Sequence, residues 1–344
     1  MPMNATLTSL AALSEAGLIS RDGMQPLHEV AARYAIAVPP AMAQLITAGE
    51  SAIARQFLPD AREAHALPED LSDPIGDDAH SPVKGLVHRY KDRALLKLTH
   101  SCPVYCRFCF RRETVGPGGD GLMDEAALDA AFAYLAAHPE IIEVILTGGD
   151  PLALSPRRIG ALTKRLAGLA HLRMIRWHSR VPVVAPERIT PALLDALDAP
   201  GRTVFVMVHA NVAQEFTAEA EAALARLTGR NIVLLGQSVL LKSVNDSVEA
   251  LHALFTRMAI NRIRPVYLHH PDLASGTAHF RLSIREGQAL YGALRGQLSG
   301  HAIPAYVLDL PGGHGKVPIG PEHIRESAGG IEIRDIKGKW HAYP

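Results

Sequence analysis

The stretch Ala94-Leu95-Leu96-Lys97-Leu98-Thr99-His100-Ser101-Cys102-Pro103-Val104-Tyr105-Cys106-Arg107-Phe108-Cys109 decides the fold. Residues 94–99 form a short apolar run of strand length, and the loop behind them holds every cysteine in the chain, spaced C-x3-C-x2-C. Three thiolates do not close a structural zinc site, but they can hold three corners of a four-iron cluster and leave the fourth iron open for a ligand. The alternative is a zinc ion completed by a nearby histidine, for which the C-x3-C half of the spacing is poor. An odd, clustered set of thiols also argues against a disulfide framework and fits a reducing compartment.

Outward from this stretch the strand-then-helix alternation repeats. Apolar runs at 94–99, 141–147, 174–178, 203–209, 232–238 and 263–268 read as strands, and helical spacing follows at 124–138, 156–169, 191–197, 217–227, 246–259 and 283–298. Repeated βα units imply a parallel sheet, either a barrel or doubly wound. A doubly wound sheet gathers its ligands near one switch point, whereas a barrel spreads functional groups over the C-terminal ends of many strands. Here the cysteines follow the first strand, Thr147-Gly148-Gly149-Asp150 the second, and His178-Ser179-Arg180 the third. His209 closes the fourth, Gln237 the fifth, and His269-His270-Pro271-Asp272 follows the sixth. The expectation is an α/β fold, a partial (β/α)6-type TIM barrel over 83–310.

A seventh strand at 305–308 leads into Asp309-Leu310-Pro311-Gly312-Gly313-His314-Gly315-Lys316, and 331–343, centred on Gly338, reads as a β-hairpin. Residues 311–344 then form a C-terminal loop and hairpin. Upstream, helical spacing at 8–16, 27–36 and 41–57, followed by a Pro-, Asp- and Gly-rich loop at 67–82, makes 1–82 a helical N-terminal extension and linker.

Composition narrows the partners. With 344 residues and 48% hydrophobic content the chain can bury a large core. Thirty-five basic residues balance thirty-five acidic ones, so no global field draws it to nucleic acid or an anionic membrane. No secretory pattern opens the sequence and no apolar stretch is long enough to span a bilayer, so a cytoplasmic protein is expected.

The turn Gly148-Gly149-Asp150-Pro151 sets bare backbone and a carboxylate at a strand end, suited to the charged amino end of a methionine moiety; alone, such a turn is more often ordinary. Lys316 ends a glycine-rich loop where backbone can approach a phosphate or an amine can reach a carbonyl; an isolated lysine in such a loop is more often solvated surface.

The cysteine spacing resembles that of the radical S-adenosylmethionine enzymes, and the ordered motifs together resemble the lysine 2,3-aminomutase family. The residues carrying the likeness are His80-Ser81-Pro82, Leu86 to Tyr90, Cys102 to Arg112, Thr147 to Pro151, Ser179-Arg180, Gln237 to Leu241, Val244 to Asp246, His279-Phe280 and Pro311 to Pro318. What the resemblance implies is a [4Fe-4S] cluster on Cys102, Cys106 and Cys109, S-adenosylmethionine beside Gly148, Gly149 and Asp150, and pyridoxal phosphate held by Lys316. Arg93 matches an arginine for the cofactor phosphate. Gln237 and His209 match positions lining the cofactor region.

Arg111 matches the arginine that pairs with the substrate carboxylate, and its plainer reading is a cation balancing the cluster. Asp272 and Asp309 match two carboxylates for the distal ammonium of L-lysine; such a pair is costly unless a cation joins it, which weighs against glutamate as substrate. The implied reaction is a radical amino shift from the α- to the β-carbon, fed by an electron donor of flavodoxin or ferredoxin type.

Departures from the family pattern remain. His314 interrupts the glycine run before Lys316, and the C-terminal extension of longer members, with further cysteines and dimer contacts, has no counterpart, which leaves a homo-oligomer open. Short length and the Cys106-Arg-Phe-Cys109-Phe-Arg-Arg wording look closer to the branch making (R)-β-lysine for elongation factor P. The loop before Lys316 looks closer to the branch of lysine catabolism or β-lysine biosynthesis. A 2,3-aminomutase for another amino acid is a further alternative. Outside enzymes, the rival is a cluster- or zinc-bearing regulatory protein, for which Lys316, Asp272, Asp309 and Arg111 would be incidental.

Overall fold

The computed structural model describes residues 5–116, 121–327 and 330–344. The first four residues of the expected N-terminal extension lie outside it. A nine-stranded sheet runs in strict chain order: β1 (Leu86–Tyr90), β2 (Arg93–Thr99), β3 (Glu143–Gly148), β4 (Met174–Ser179), β5 (Thr203–His209), β6 (Val233–Val239), β7 (Arg264–His269), β8 (Ala305–Leu310) and β9 (Gly315–Pro318). From β2 to β8 every pairing is parallel. The expected strands are all present, within a few residues at their ends.

The two edges of the sheet lie outside the expected strands. β1 pairs antiparallel with β2, and β9 antiparallel with β8. Both are short hairpin arms beside the parallel strands, and His88-Arg89-Tyr90 in β1 and Gly315-Lys316 in β9 break any apolar run. They do not pair with each other, so the barrel stays open between them. Tyr90 of β1 reaches across that opening, its hydroxyl accepting the Lys316 amide at 3.0 Å.

Helices cover the outer face, and their starts follow the side chains. Asp124, Ser155, Thr190, Thr217, Ser247 and Ser283 each accept a backbone N–H in the first turn of the helix they precede. Buried leucine, valine and isoleucine from these helices and from the strands form one continuous core, which also takes in Leu13, Met42, Ile53 and Phe57 of the N-terminal region. The expected helix at 41–57 is two helices, Pro40–Thr47 and Ser51–Phe57, parted at Gly49, whose φ of +95° no helix accommodates. The C-terminal hairpin gains a third strand, giving an antiparallel sheet of β10 (Ile324–Ser327), β11 (Gly330–Arg334) and β12 (Trp340–Tyr343). Among the described residues no helix is long and apolar enough to cross a membrane.

Candidate active site

The C-terminal strand ends and the inner faces of both edge hairpins line a cavity of about 480 Å³. The candidate cluster, cofactor and substrate residues are all on its wall: Cys102, Cys106, Cys109, Gly148, Gly149, Asp150, Arg93, Arg111, His209, Gln237, Asp272, Asp309 and Lys316.

The cysteine loop is held from behind. Arg107 donates from Nε to Glu63 Oε1 at 2.9 Å and from Nη1 to the Ala35 carbonyl at 2.8 Å, and Arg112 pairs with the same Glu63 carboxylate. These residues between and after the cysteines point away from the cavity, so the thiols point in. Burial pushes all three thiols up, Cys109 to about 11, so binding iron here releases protons. Arg180 donates to Cys106 Sγ at 3.0 Å and pairs with buried Glu215, placing a fixed cation beside one sulfur. Soft donors with a guanidinium against them fit an anionic iron–sulfur cluster. Among the described residues no three His, Cys, Asp or Glu groups converge as the ligands of one ion would; the thiols of a four-iron cluster each take a separate iron.

Gly148 and Gly149 are fixed by packing. A Cβ on Gly148 (φ +108°) would lie 2.5 Å from the Thr99 carbonyl oxygen, and one on Gly149 would lie 2.3 Å from that of Ser101. The end of β3 is thereby pressed onto the segment entering the cysteine loop, leaving bare backbone at the cavity wall. The Asp150 carboxylate is already engaged: it accepts from the Ser179 hydroxyl (2.8 Å) and from the amides of Arg180 (2.8 Å), Leu152 (3.0 Å) and Val181 (3.2 Å). It braces the ends of β3 and β4.

Arg111 lines the same cavity, and its charge works against the burial that raises Cys109 and Asp272. Its Nη2 donates to Asp77 at 2.7 Å and its Nη1 lies 3.4 Å from Thr147 Oγ1. On the β8–β9 side Lys316 Nζ donates to both Asp309 oxygens at 2.6 Å, and His269 Nδ1 stands 3.4 Å from the same carboxylate. Burial opposes the Asp309 charge, yet His269 and Lys316 hold its carboxyl well below the usual range. Asp272 has no hydrogen-bond partner among the described residues. Burial, then the neighbouring Asp309 charge, push it up to about 7. Burial also lowers His178, His209 and His269, keeping these imidazoles neutral.

On the β1 side Arg93 stacks over the Tyr90 ring at 4.0 Å and pairs with Asp92 at 2.7 Å. Arg89, within the Leu86 to Tyr90 motif, lines the same cavity and donates to the Ile75 carbonyl at 2.7 Å. Two guanidiniums and a primary amine on one wall fit a phosphate-bearing aldehyde cofactor. Asp77, Arg176, His178 and His269 also reach the cavity unassigned. The sequence already sets His178 and His269 at strand ends, without a role; Asp77 lies in the loop expected to be a linker.

Comparison with known proteins settles the class first. The Radical SAM superfamily model matches residues 96–219, the segment from β2 through the cysteine loop into the helix after β5. A second model, Lysine-2,3-aminomutase, matches residues 291–344, which include Lys316. The L-lysine 2,3-aminomutase of Fusobacterium nucleatum is 39% identical, across 83% of this chain and 67% of that protein. That of Clostridium subterminale is 37% identical, across 83% and 68%, and that of Escherichia coli 34%, across 83% of each. The chain belongs to the lysine 2,3-aminomutase family, isomerases that use a [4Fe-4S] cluster, S-adenosylmethionine and pyridoxal phosphate.

Proposed function

We propose that this chain converts L-lysine to β-lysine by moving the amino group from the α- to the β-carbon. The observation that carries the reading is one cavity whose wall holds the three thiols, the Lys316, Asp309 and Asp272 group, and Arg111. Cys102, Cys106 and Cys109 would hold the cluster, backbone at Gly148 and Gly149 would border S-adenosylmethionine, and Lys316 with Arg89 and Arg93 would hold pyridoxal phosphate. When bound, the cluster and S-adenosylmethionine supply a hydrogen-abstracting radical and pyridoxal phosphate supplies delocalisation during the shift.

The chain's own task is positional. Arg111 takes the substrate carboxylate through the guanidinium edge that Asp77 leaves open, and Asp272 with Asp309 takes the distal ammonium. Two acids without a second cation reject a third carboxylate and select a basic side chain. Lys316 shows how such an ammonium sits, because its own Nζ occupies Asp309 here. Committing Lys316 to the cofactor frees the acid pair for the substrate. Held at both ends, the substrate presents one β-hydrogen in a fixed direction. The cluster requires a one-electron donor, read here as a flavodoxin- or ferredoxin-type carrier in the cytoplasm.

The test is an anaerobic assay of cluster-reconstituted protein with S-adenosylmethionine, pyridoxal phosphate, reductant and isotopically labelled L-lysine, followed by chiral separation. Labelled β-lysine is expected, and its hand separates the elongation factor P branch from free β-lysine production. Cleavage of S-adenosylmethionine with no β-lysine would overturn the substrate assignment.

A further inference from the structure

We propose that Asp77 is a positioning residue that fixes Arg111 relative to Lys316, and so sets where the substrate carboxylate lies. This rests on the reading of Arg111 as the carboxylate anchor. Asp77 is not part of the barrel; it sits ahead of β1 in the loop read from the sequence as a plain linker.

Its side chain is 7% exposed and lines the cavity. It accepts from Arg111 Nη2 at 2.7 Å and stands 3.4 Å from Arg89 Nη2 and 3.6 Å from Lys97 Nζ. Burial opposes its charge, but Arg111, Lys97 and Arg89 keep the carboxyl below its ordinary value. A charge buried this far persists only when paired, and so do the cations around it. Asp77 therefore dictates where Arg111 can be.

The segment bearing Asp77 is pinned to the cofactor loop. Asp73 accepts the amides of Asp77 and Asp78 at 3.0 and 2.9 Å, shaping the turn. Gly76 has φ +68°, and a Cβ there would lie 2.1 Å from the Gly313 nitrogen. His80 Nε2 meets the Gly313 carbonyl at 3.0 Å. Gly313 lies in the loop that carries Lys316, so one short segment touches the substrate arginine and the cofactor lysine's loop. The span between carboxylate anchor and amine is set by residues 76–80, not by the barrel strands alone. One edge of Arg111 is spent on Asp77, and Nη1, at 3.4 Å from Thr147, is the edge left for a carboxylate. Without the Asp77 charge Arg111 still attracts the substrate but no longer aims it.

The experiment compares wild type, Asp77→Asn and Asp77→Glu as reconstituted holoenzyme, with two readouts. Turnover is followed as β-lysine and as 5′-deoxyadenosine, and L-lysine binding is measured by calorimetry without S-adenosylmethionine, where no turnover occurs. For Asp77→Asn, kcat is expected to fall about tenfold or more and 5′-deoxyadenosine per β-lysine to rise, because a misaimed substrate wastes radicals. Binding of L-lysine should stay within about threefold of wild type and the pyridoxal phosphate absorbance should be retained, since the attraction itself remains. Asp77→Glu should fall between the two.

An unchanged kcat and product ratio in Asp77→Asn would overturn the proposal. So would joint loss of lysine binding, cofactor absorbance and turnover, which marks a merely structural role. If Asp77→Asn does not fold, Asp77→Glu decides alone, and a wild-type product ratio there overturns the proposal. Absence of β-lysine from wild type itself would strike the proposed function instead.

Discussion

Glu63 and Asp272 are both carboxylates set among cations, one behind the cysteine loop and the other on the cavity wall, and their surroundings differ in one respect. Glu63 is fully enclosed, and its oxygens are taken by Arg107, Arg112 and the Asp60 amide. Asp272 has no such donors, and burial beside Asp309 pushes it up to about 7. A saturated buried network has nothing left to offer a ligand and serves to hold the cysteine loop in place. An under-satisfied one stores a demand for a cation, which is what a binding site is before its ligand arrives.

The comparison breaks most severely at Lys316, which joins the two conditions by satisfying Asp309 alone. Lys316→Ala is expected to lower turnover by more than about a thousandfold, roughly 4 kcal/mol, because the cofactor loses its attachment. Loss of the pyridoxal phosphate absorbance together with β-lysine formation checks it. Retained turnover would leave the Asp309 contact as a surface-type ion pair and nothing more.

Glu63→Gln tests the saturated side. Two buried guanidiniums would lose their counter-charge, at a cost of about 3 to 5 kcal/mol in unfolding free energy. Chemical denaturation of anaerobic protein measures this, and a cost below about 1 kcal/mol would make the network no stronger than exposed ion pairs. Asp272→Asn tests the unsatisfied side in the opposite sense. It removes no hydrogen bond made within the protein, so stability should hold or rise. By contrast kcat/KM for L-lysine should drop about thirtyfold, near 2 kcal/mol, through loss of a charge partner. Steady-state kinetics against L-lysine, with the cofactor absorbance as control, decides. Unchanged kcat/KM would remove Asp272 from the substrate site.

The same contrast explains what the sequence could and could not disclose. Strands, helix starts and the cysteine loop are local, written in apolar runs and in caps such as Asp124 and Ser283. The candidate site residues lie at strand ends, and barrel topology brings strand ends together whatever their separation along the chain. Three kinds of feature escaped. Edge strands β1 and β9 are short and carry polar residues or glycine where an apolar run would mark a strand. Partnerships such as Glu63 with Arg107, 44 residues apart, leave no local trace. The role of a residue inside a loop also stayed hidden: Asp77 sits in a Pro-, Asp- and Gly-rich run that looks like spacer, and the bonds of Asp150 to Ser179 and neighbouring amides have no mark in the motif that contains it. Motif spacing told which side chains gather, and only their contacts told which were already occupied.

The smallest effect sharpens the comparison through pH. Ligand-free Asp272 is raised from 3.8 to about 7, so between those values the folded protein holds a proton that the unfolded chain has released. This group's contribution to stability therefore declines as pH rises through that window. Ligand binding has the opposite slope. An ammonium favours the carboxylate form, so the affinity for L-lysine should tighten with rising pH by up to about tenfold per unit below 7 and level off above it. Few other groups facing the site add to this slope. Asp309 is ionised throughout, His178, His209 and His269 are held neutral by burial, and the side-chain ammonium of free lysine keeps its proton until about pH 10. Calorimetric titration of cofactor-free protein, the state in which Lys316 keeps its charge, with L-lysine between about pH 6 and pH 8 should show proton release at the low end that Asp272→Asn abolishes. A flat profile in wild type would mean that Asp272 is already ionised or stands apart from the substrate, and the contrast with Glu63 would lose its functional meaning.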